Sequence, residues 1–219
     1  MLLHLVRHAE SLGNASRSGA IDCDLSDLGR AQAQAVAAEL KRQGVDRVLS
    51  SPYRRTLCTA QAIAAATGAP IEAYPLLHEH HTSMFPPDWP LMTRSELVVN
   101  FPGLILPDEL ADRGWCAPPE TDALVLERMG RVLADLEQRY GNQRLVLVTH
   151  GSPAGKLVQA FLGGTDAAKV EVTIANASIT TLESSGWKRY VRGVNRTDHL
   201  RDVVAPPAIV ENVPATVYL

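Results

Sequence analysis

From Arg144 to Thr149 the chain reads Arg-Leu-Val-Leu-Val-Thr, and its first six residues read Met-Leu-Leu-His-Leu-Val. Neither run has the polar alternation of a strand with one wet face, so both are expected to be strands covered on both sides. Such strands belong to parallel sheets with helices packed above and below. The rest of the chain supplies those helices. Arg30 to Leu40 is rich in helix formers, with Ser26 placed to cap it and Gly44 to end it. Ser51-Pro52 and Ser152-Pro153 each combine a cap residue with a proline suited to a first helical position. They predict helices running to about Thr67 and Leu162, stopped by Gly68 and by Gly163-Gly164. Leu124, Met129, Val132, Leu133 and Leu136 recur at helical spacing within Thr121 to Tyr140, before Gly141-Asn142. Short strands are predicted at Val45 to Leu49 and Ile71 to Tyr74, and two closing strands at Ala175 to Leu182 and Trp187 to Val194. The alternation gives an α/β chain with a largely parallel sheet.

With 219 residues, 46% of them hydrophobic, the chain is expected to form one domain over 1–219. Thr82 to Pro119 departs from the α/β rhythm. It holds Pro86, Pro87, Pro90, Pro102, Pro107, Pro118 and Pro119, together with Phe85, Trp89, Phe101 and Trp115, which need burial. This segment reads as an inserted cap with a short helix near Thr93 to Asn100, and the cap is expected to choose the substrate. The tail beyond Asp202 is expected to wrap the surface. A net charge of −3, with 21 Lys and Arg scattered along the chain, argues against a nucleic-acid groove or an anionic membrane surface. Cys23, Cys58 and Cys116 are odd in number and far apart, which fits free thiols in a reducing cytosol. The apolar start reads as a strand, not a signal peptide, and no apolar segment reaches the roughly 20 residues of a membrane span. A cytoplasmic location is expected.

Both unbroken runs deliver a histidine where the strand ends: Arg7-His8-Ala9-Glu10 after the first, Thr149-His150-Gly151 after the second. Carboxyl ends of strands are where α/β proteins place their chemistry. Two further clusters, Ser50-Ser51-Pro52-Tyr53-Arg54-Arg55-Thr56 with Thr59-Ala60, and Leu77-His78-Glu79, stand between them. In that order, and with Arg7-His8 extended to Ser11-Leu12-Gly13-Asn14, the four clusters resemble the signatures of the histidine phosphatase superfamily, phosphoglycerate mutase-like branch. Asn195 with His199-Leu200 is similar to that family's closing segment. The resemblance implies a three-layer α/β/α sandwich around a mainly parallel sheet.

It also implies roles that phosphoryl transfer makes sensible. The reaction needs a nucleophile in line with the leaving oxygen and positive donors around the charged equatorial oxygens. His8 would attack phosphorus as a neutral imidazole and form a phosphohistidine. Arg7 would grip phosphate and help keep His8 unprotonated. Arg55, four residues after Ser51 as the family spacing requires, would be the second clamp, with Arg54 as fallback. His150 would donate to the transferring group, and Asn14 would be a neutral donor to the same oxygens. Glu79 would act as general acid and then base. His80 is expected to face the pocket and touch substrate. His78, His80 and His81 lack the companions of a metal site, and no cofactor is implied. Ser152 is expected to be a helix cap and not a hydrolase nucleophile, because Gly-x-Ser-x-Gly spacing is absent.

The expected activity is therefore metal-independent hydrolysis of a small phosphomonoester. A phosphoglycerate mutase is the nearest alternative. The family's mutases carry an Arg after the general acid, where this chain has His80, and the cap offers only Arg94 and Arg113. A noncatalytic module binding anions or proteins is the alternative from another class.

Overall fold

Leu2–Arg7 (β1), Arg47–Ser50 (β2), Ile71–Ala73 (β3) and Arg144–Thr149 (β4) run parallel in the spatial order β3-β2-β4-β1. Ile179–Ser185 (β5) pairs antiparallel with β1, and Lys188–Arg196 (β6) pairs antiparallel with β5 at the sheet edge. This computed structural model describes residues 1–16, 21–82, 91–108, 110, 117–167 and 169–204.

The aliphatic residues of β1, β2 and β4 divide by type across the sheet. Leu3 and Leu5 of β1 and Leu145 and Leu147 of β4 face Asp122–Tyr140 (α5) and Gly151–Phe161 (α6), meeting Met129, Val132, Leu136 and Leu157. Val6, Val48, Val146 and Val148 face Asp27–Gln43 (α2) and Arg54–Thr67 (α3), meeting Val36, Leu40, Ala60 and Ile63. All these strand residues are fully buried, each worth about 1.5–3 kcal/mol of apolar transfer. The result is the expected three-layer α/β/α sandwich, with the antiparallel hairpin added to the parallel part. His4 interrupts the aliphatic run. It is fully buried with Nδ1 3.2 Å from Thr181 Oγ1, and burial pushes its pKa down to about 4.

Ser26 caps α2 as expected, its side chain accepting from Gly29 N, and Gly44 closes the helix at φ 74°. The helices expected after the two Ser-Pro pairs are present and end as expected, α3 at Thr67 before Gly68 and α6 at Phe161, but neither serine is the cap. α3 begins at Arg54, and the missing cap is supplied from another segment, with Asp22 Oδ1 accepting from Arg54 N at 2.7 Å. α6 begins at Gly151 with His150 at its N-cap, which puts Ser152 inside the first turn. Ser51 to Tyr53 lie between β2 and α3, and only His150 lies between β4 and α6. Leu12–Ser16 (α1) is a turn of helix where only a loop was expected.

Of the expected cap, residues 83–90, 109 and 111–116 lie outside the described residues, among them Phe85, Trp89, Arg113, Trp115 and Cys116. So does the tail from 205 on. The described part contains Arg94–Asn100 (α4), opened by a reciprocal capping box between Thr93 and Glu96. Met92, Leu97, Phe101 and Leu110 form a small apolar cluster on Leu57 of α3. Among the described residues, no helix is long and apolar enough to cross a membrane.

Candidate active site

The β1–β4 register sets Arg7 opposite Thr149, and His8 N donates to Thr149 O at 2.9 Å. Ser51, leaving β2, donates its N–H to Val148 O at 3.0 Å. Three neighbouring strand ends thus deliver His8, His150 and Ser51 to one place. The two imidazoles are buried, with ring centroids 5.3 Å apart at 63°.

Their proton positions follow from their neighbours. His8 Nδ1 lies 2.7 Å from the Ala9 carbonyl, which only accepts, so Nδ1 carries the hydrogen and Nε2 holds the lone pair. That lone pair receives Arg55 Nε–H at 3.2 Å. His150 is the opposite tautomer. Its Nδ1 accepts from Arg55 Nη2 at 3.0 Å, which leaves Nε2–H to donate to Ser51 Oγ at 3.0 Å. Burial is the main cause holding both imidazoles neutral, well below their ordinary pKa, with Arg55 next. Arg7, expected to help keep His8 unprotonated, does so as a smaller contributor. The site-facing nitrogen of His150 is therefore an acceptor here. To donate to an anion, His150 must gain a proton, which a phosphate dianion would favour.

Arg55 is 8% exposed and ties the centre together, because its Nη1 also donates to Ile21 O at 2.5 Å and its guanidinium lies 4.5 Å over the Tyr53 ring. Arg54 points elsewhere, its Nη2 toward Met92 Sδ. Arg7 Nη1 donates to Ile174 O at 2.7 Å, while its Nε is buried without a hydrogen-bond partner among the described residues. A buried unpaired donor beside a second guanidinium is what a phosphate oxygen would satisfy.

Glu79 reaches the same centre, its Oε2 3.7 Å from His150 Nδ1 and its Oε1 accepting from His80 N at 2.9 Å. The segment carrying it is anchored by Arg128 of α5. This side chain is 2% exposed, bidentate to Glu120 at 2.8 and 2.7 Å, and donates to Leu76 O and His78 O. Asn14 Oδ1 takes donors from Ser11 N, Ser11 Oγ and Asn176 Nδ2. The acceptor end is thereby occupied, and the amide N–H₂ is the end left to meet an anion. His80 lines the adjoining cavity. Each neighbouring histidine spends a ring nitrogen on a backbone carbonyl: His78 on Glu79 O, His80 on Glu120 O and His81 on Ala117 O.

Three participants went unforeseen. Asn176 donates to His8 O at 3.0 Å and to Asn14 Oδ1 at 3.2 Å, coming from a loop that crosses the end of β1. That loop is braced by Asn195 Oδ1, which accepts from Ala175 N, and by His199 Nε2, 2.8 Å from Ala177 O. Ser51 was read as a cap and instead holds His150. Asp22 secures the helix start that aims Arg55. The family-like closing segment, Asn195 with His199, was the one sequence signal pointing near Asn176.

A cavity of about 370 Å³ opens beside Arg7, between the starts of α5 and α6 and the 171–174 segment. Its described wall includes His80, Asp122, Ser152, Lys156 and Glu171. Asp122 and Lys156 lie outside the segment expected to choose the substrate.

A family profile described as the histidine phosphatase superfamily (branch 1) matches residues 3–197. Phosphoserine phosphatase 1 of Hydrogenobacter thermophilus is 31% identical over 209 residues, covering 90% of this chain and 93% of that protein. A probable phosphoglycerate mutase GpmB of Yersinia pestis is 28% identical over 218 residues, covering 90% and 94%. Among solved structures, the mycobacterial glucosyl-3-phosphoglycerate phosphatase in complex with VO3 superposes with a TM-score of 0.66 at 26% identity, over 90% of this chain and 99% of that one.

Proposed function

Because the chain belongs to the histidine phosphatase superfamily, we propose that it hydrolyses a small phosphomonoester through a phosphohistidine on His8. The observation that carries this reading is the fixed tautomer of His8. A hydrogen committed to the Ala9 carbonyl leaves the Nε2 lone pair directed at the guanidinium of Arg55. A bound phosphate would compete for that guanidinium and bring its phosphorus to the lone pair.

In the first step His8 Nε2 forms a bond to phosphorus while the ester oxygen leaves with the bonding pair, and Glu79 gives that oxygen a proton. In the second, water attacks the phosphohistidine, Glu79 takes its proton and the nitrogen–phosphorus bond breaks. Arg7 Nε, the Arg55 guanidinium, the Asn14 amide and a protonated His150 surround the equatorial oxygens. Two guanidiniums held by protein carbonyls supply this charge, so chelators should leave the activity unchanged. Cys23 and Cys58 are both free thiols, which supports a cytoplasmic setting.

The test is p-nitrophenyl phosphate turnover together with trapping of an acid-labile phosphoryl adduct. His8→Ala is expected to abolish the adduct and reduce turnover about ten-thousandfold. Undiminished turnover in His8→Ala would defeat the proposal. The GpmB relative favours a second reading, isomerisation of phosphoglycerate. Fast isomerisation with negligible phosphate release would select it.

A further inference from the structure

Beyond Arg7, the cavity beside it carries charges of both signs that the chemistry at His8 does not use. Lys156 of α6 is 6% exposed, and its ammonium donates to Ala167 O at 2.9 Å and pairs with Asp122 Oδ2 at 3.2 Å. An ammonium has three hydrogens, and among the described residues these contacts take two. Asp122, at the start of α5, is more than half exposed and turns its other oxygen toward His80 Nδ1 at 3.5 Å. Glu171 adds a second, exposed carboxylate to the wall. Apart from Arg7, which faces the phosphate end, the described wall therefore offers one buried ammonium and two solvent-touched carboxylates.

This wall discriminates by charge. An aryl or lipid alcohol would leave Lys156 and Asp122 desolvated against apolar surface. A purely anionic alcohol, such as glycerate, would satisfy Lys156 but bring its carboxylate close to Asp122 and Glu171. An alcohol with both a carboxylate and an ammonium pairs every charge: the carboxylate with the remaining Lys156 hydrogen, the ammonium with Asp122 and Glu171. Charge-assisted hydrogen bonds of this kind are the stronger ones available to a small ligand. The cavity, at about 370 Å³, is in the size range of small-ligand clefts.

Resting on the phosphatase reading above, we propose that the cavity lined by Lys156, Asp122 and Glu171 is a leaving-group subsite for a zwitterionic alcohol, so that the preferred substrate is the phosphate ester of a hydroxy amino acid. Lys156 reads the carboxylate, and Asp122 with Glu171 reads the ammonium.

The experiment compares kcat/KM of the full chain on phosphoserine, phosphoethanolamine, 3-phosphoglycerate and p-nitrophenyl phosphate. Phosphoserine is expected to lead phosphoethanolamine and 3-phosphoglycerate by about tenfold or more each, the discrimination one charged hydrogen bond supplies. Lys156→Gln should cut the phosphoserine-to-phosphoethanolamine ratio about tenfold, and Asp122→Asn should cut the phosphoserine-to-3-phosphoglycerate ratio by a similar factor. Either ratio unchanged in its variant overturns the assignment of that residue. If a variant does not fold, the panel on the unaltered protein still decides the substrate class: a flat profile, or 3-phosphoglycerate in the lead, overturns it. Failure of the phosphatase reading looks different, because then p-nitrophenyl phosphate and all three esters go unhydrolysed.

Discussion

Around His8, polar contacts run between buried groups. Arg55 reaches both buried imidazoles and the Ile21 carbonyl, and His150 reaches Ser51. Around Lys156 only the ammonium is buried, while Asp122 and Glu171 keep contact with solvent. The first region is dry and cationic, where a charge interaction is strong and its geometry costs nothing to arrange during reaction. The second is wet and of mixed sign, where each contact is screened and worth little more than one step of discrimination. If the proposed roles hold, chemistry and choice of substrate are separated: a change on the wet side should alter preference, whereas one on the dry side should stop turnover.

Acid should act first on the buried imidazoles that support the dry side from outside it. His4 and His78 are buried, their pKa values pushed down to about 4 and about 3, by burial first and then by Arg144 for His4 and Arg128 for His78. The unfolded chain takes up these protons near pH 6.5 and the native one only below those lower values. Stability is thus complete above about pH 7 and is lost as pH falls through the window below 6.5. At pH 5 the two histidines should together withdraw about 4 kcal/mol, read from urea midpoints at pH 7.5 and 5. An unshifted midpoint would show that these imidazoles are not held neutral by burial.

The next largest effect should come from Arg55→Lys. It keeps the charge but loses the planar fork that serves His8, His150 and Ile21 together, and kcat should fall about a hundredfold or more with p-nitrophenyl phosphate. Activity within a few-fold of the parent would place the clamp elsewhere.

Asn176→Ala sharpens the comparison with a smaller effect. We treat Asn176 as a positioning residue acting through Asn14, so kcat should drop about tenfold with KM little changed. Combined with Asn14→Ala, the two losses should not add. Full additivity would mean that Asn176 acts independently of Asn14.

Much of this was legible in the chain because the informative residues are consecutive. Four aliphatic residues in a row at Leu145–Val148 require cover on both faces, and a histidine immediately after such a strand lies at its carboxyl end. The Ser-Pro pairs misled for a physical reason. A serine before a proline has the composition of a cap, but Ser51 leaves β2 next to His150, whose Nε2–H takes the hydroxyl, and α3 is capped by Asp22 from 32 residues away. Asn176 carries no local pattern at all, since its partner His8 lies 168 residues off. The proposed substrate wall escaped similarly. A proline- and tryptophan-rich insert attracts attention, whereas Asp122 and Lys156 sit at ordinary helix positions and meet only when α5 and α6 pack.

By itself, then, the sequence determined the layers of the fold and which side chains arrive at the strand ends, because strand burial and chain order depend on neighbours along the chain. Only the tertiary structure decided which nitrogen of each histidine holds its proton, that one guanidinium reaches both rings and which charges wall the cavity. Those depend on donors, acceptors and burial brought from remote segments, and a proton's place is set by what stands three ångströms away in space.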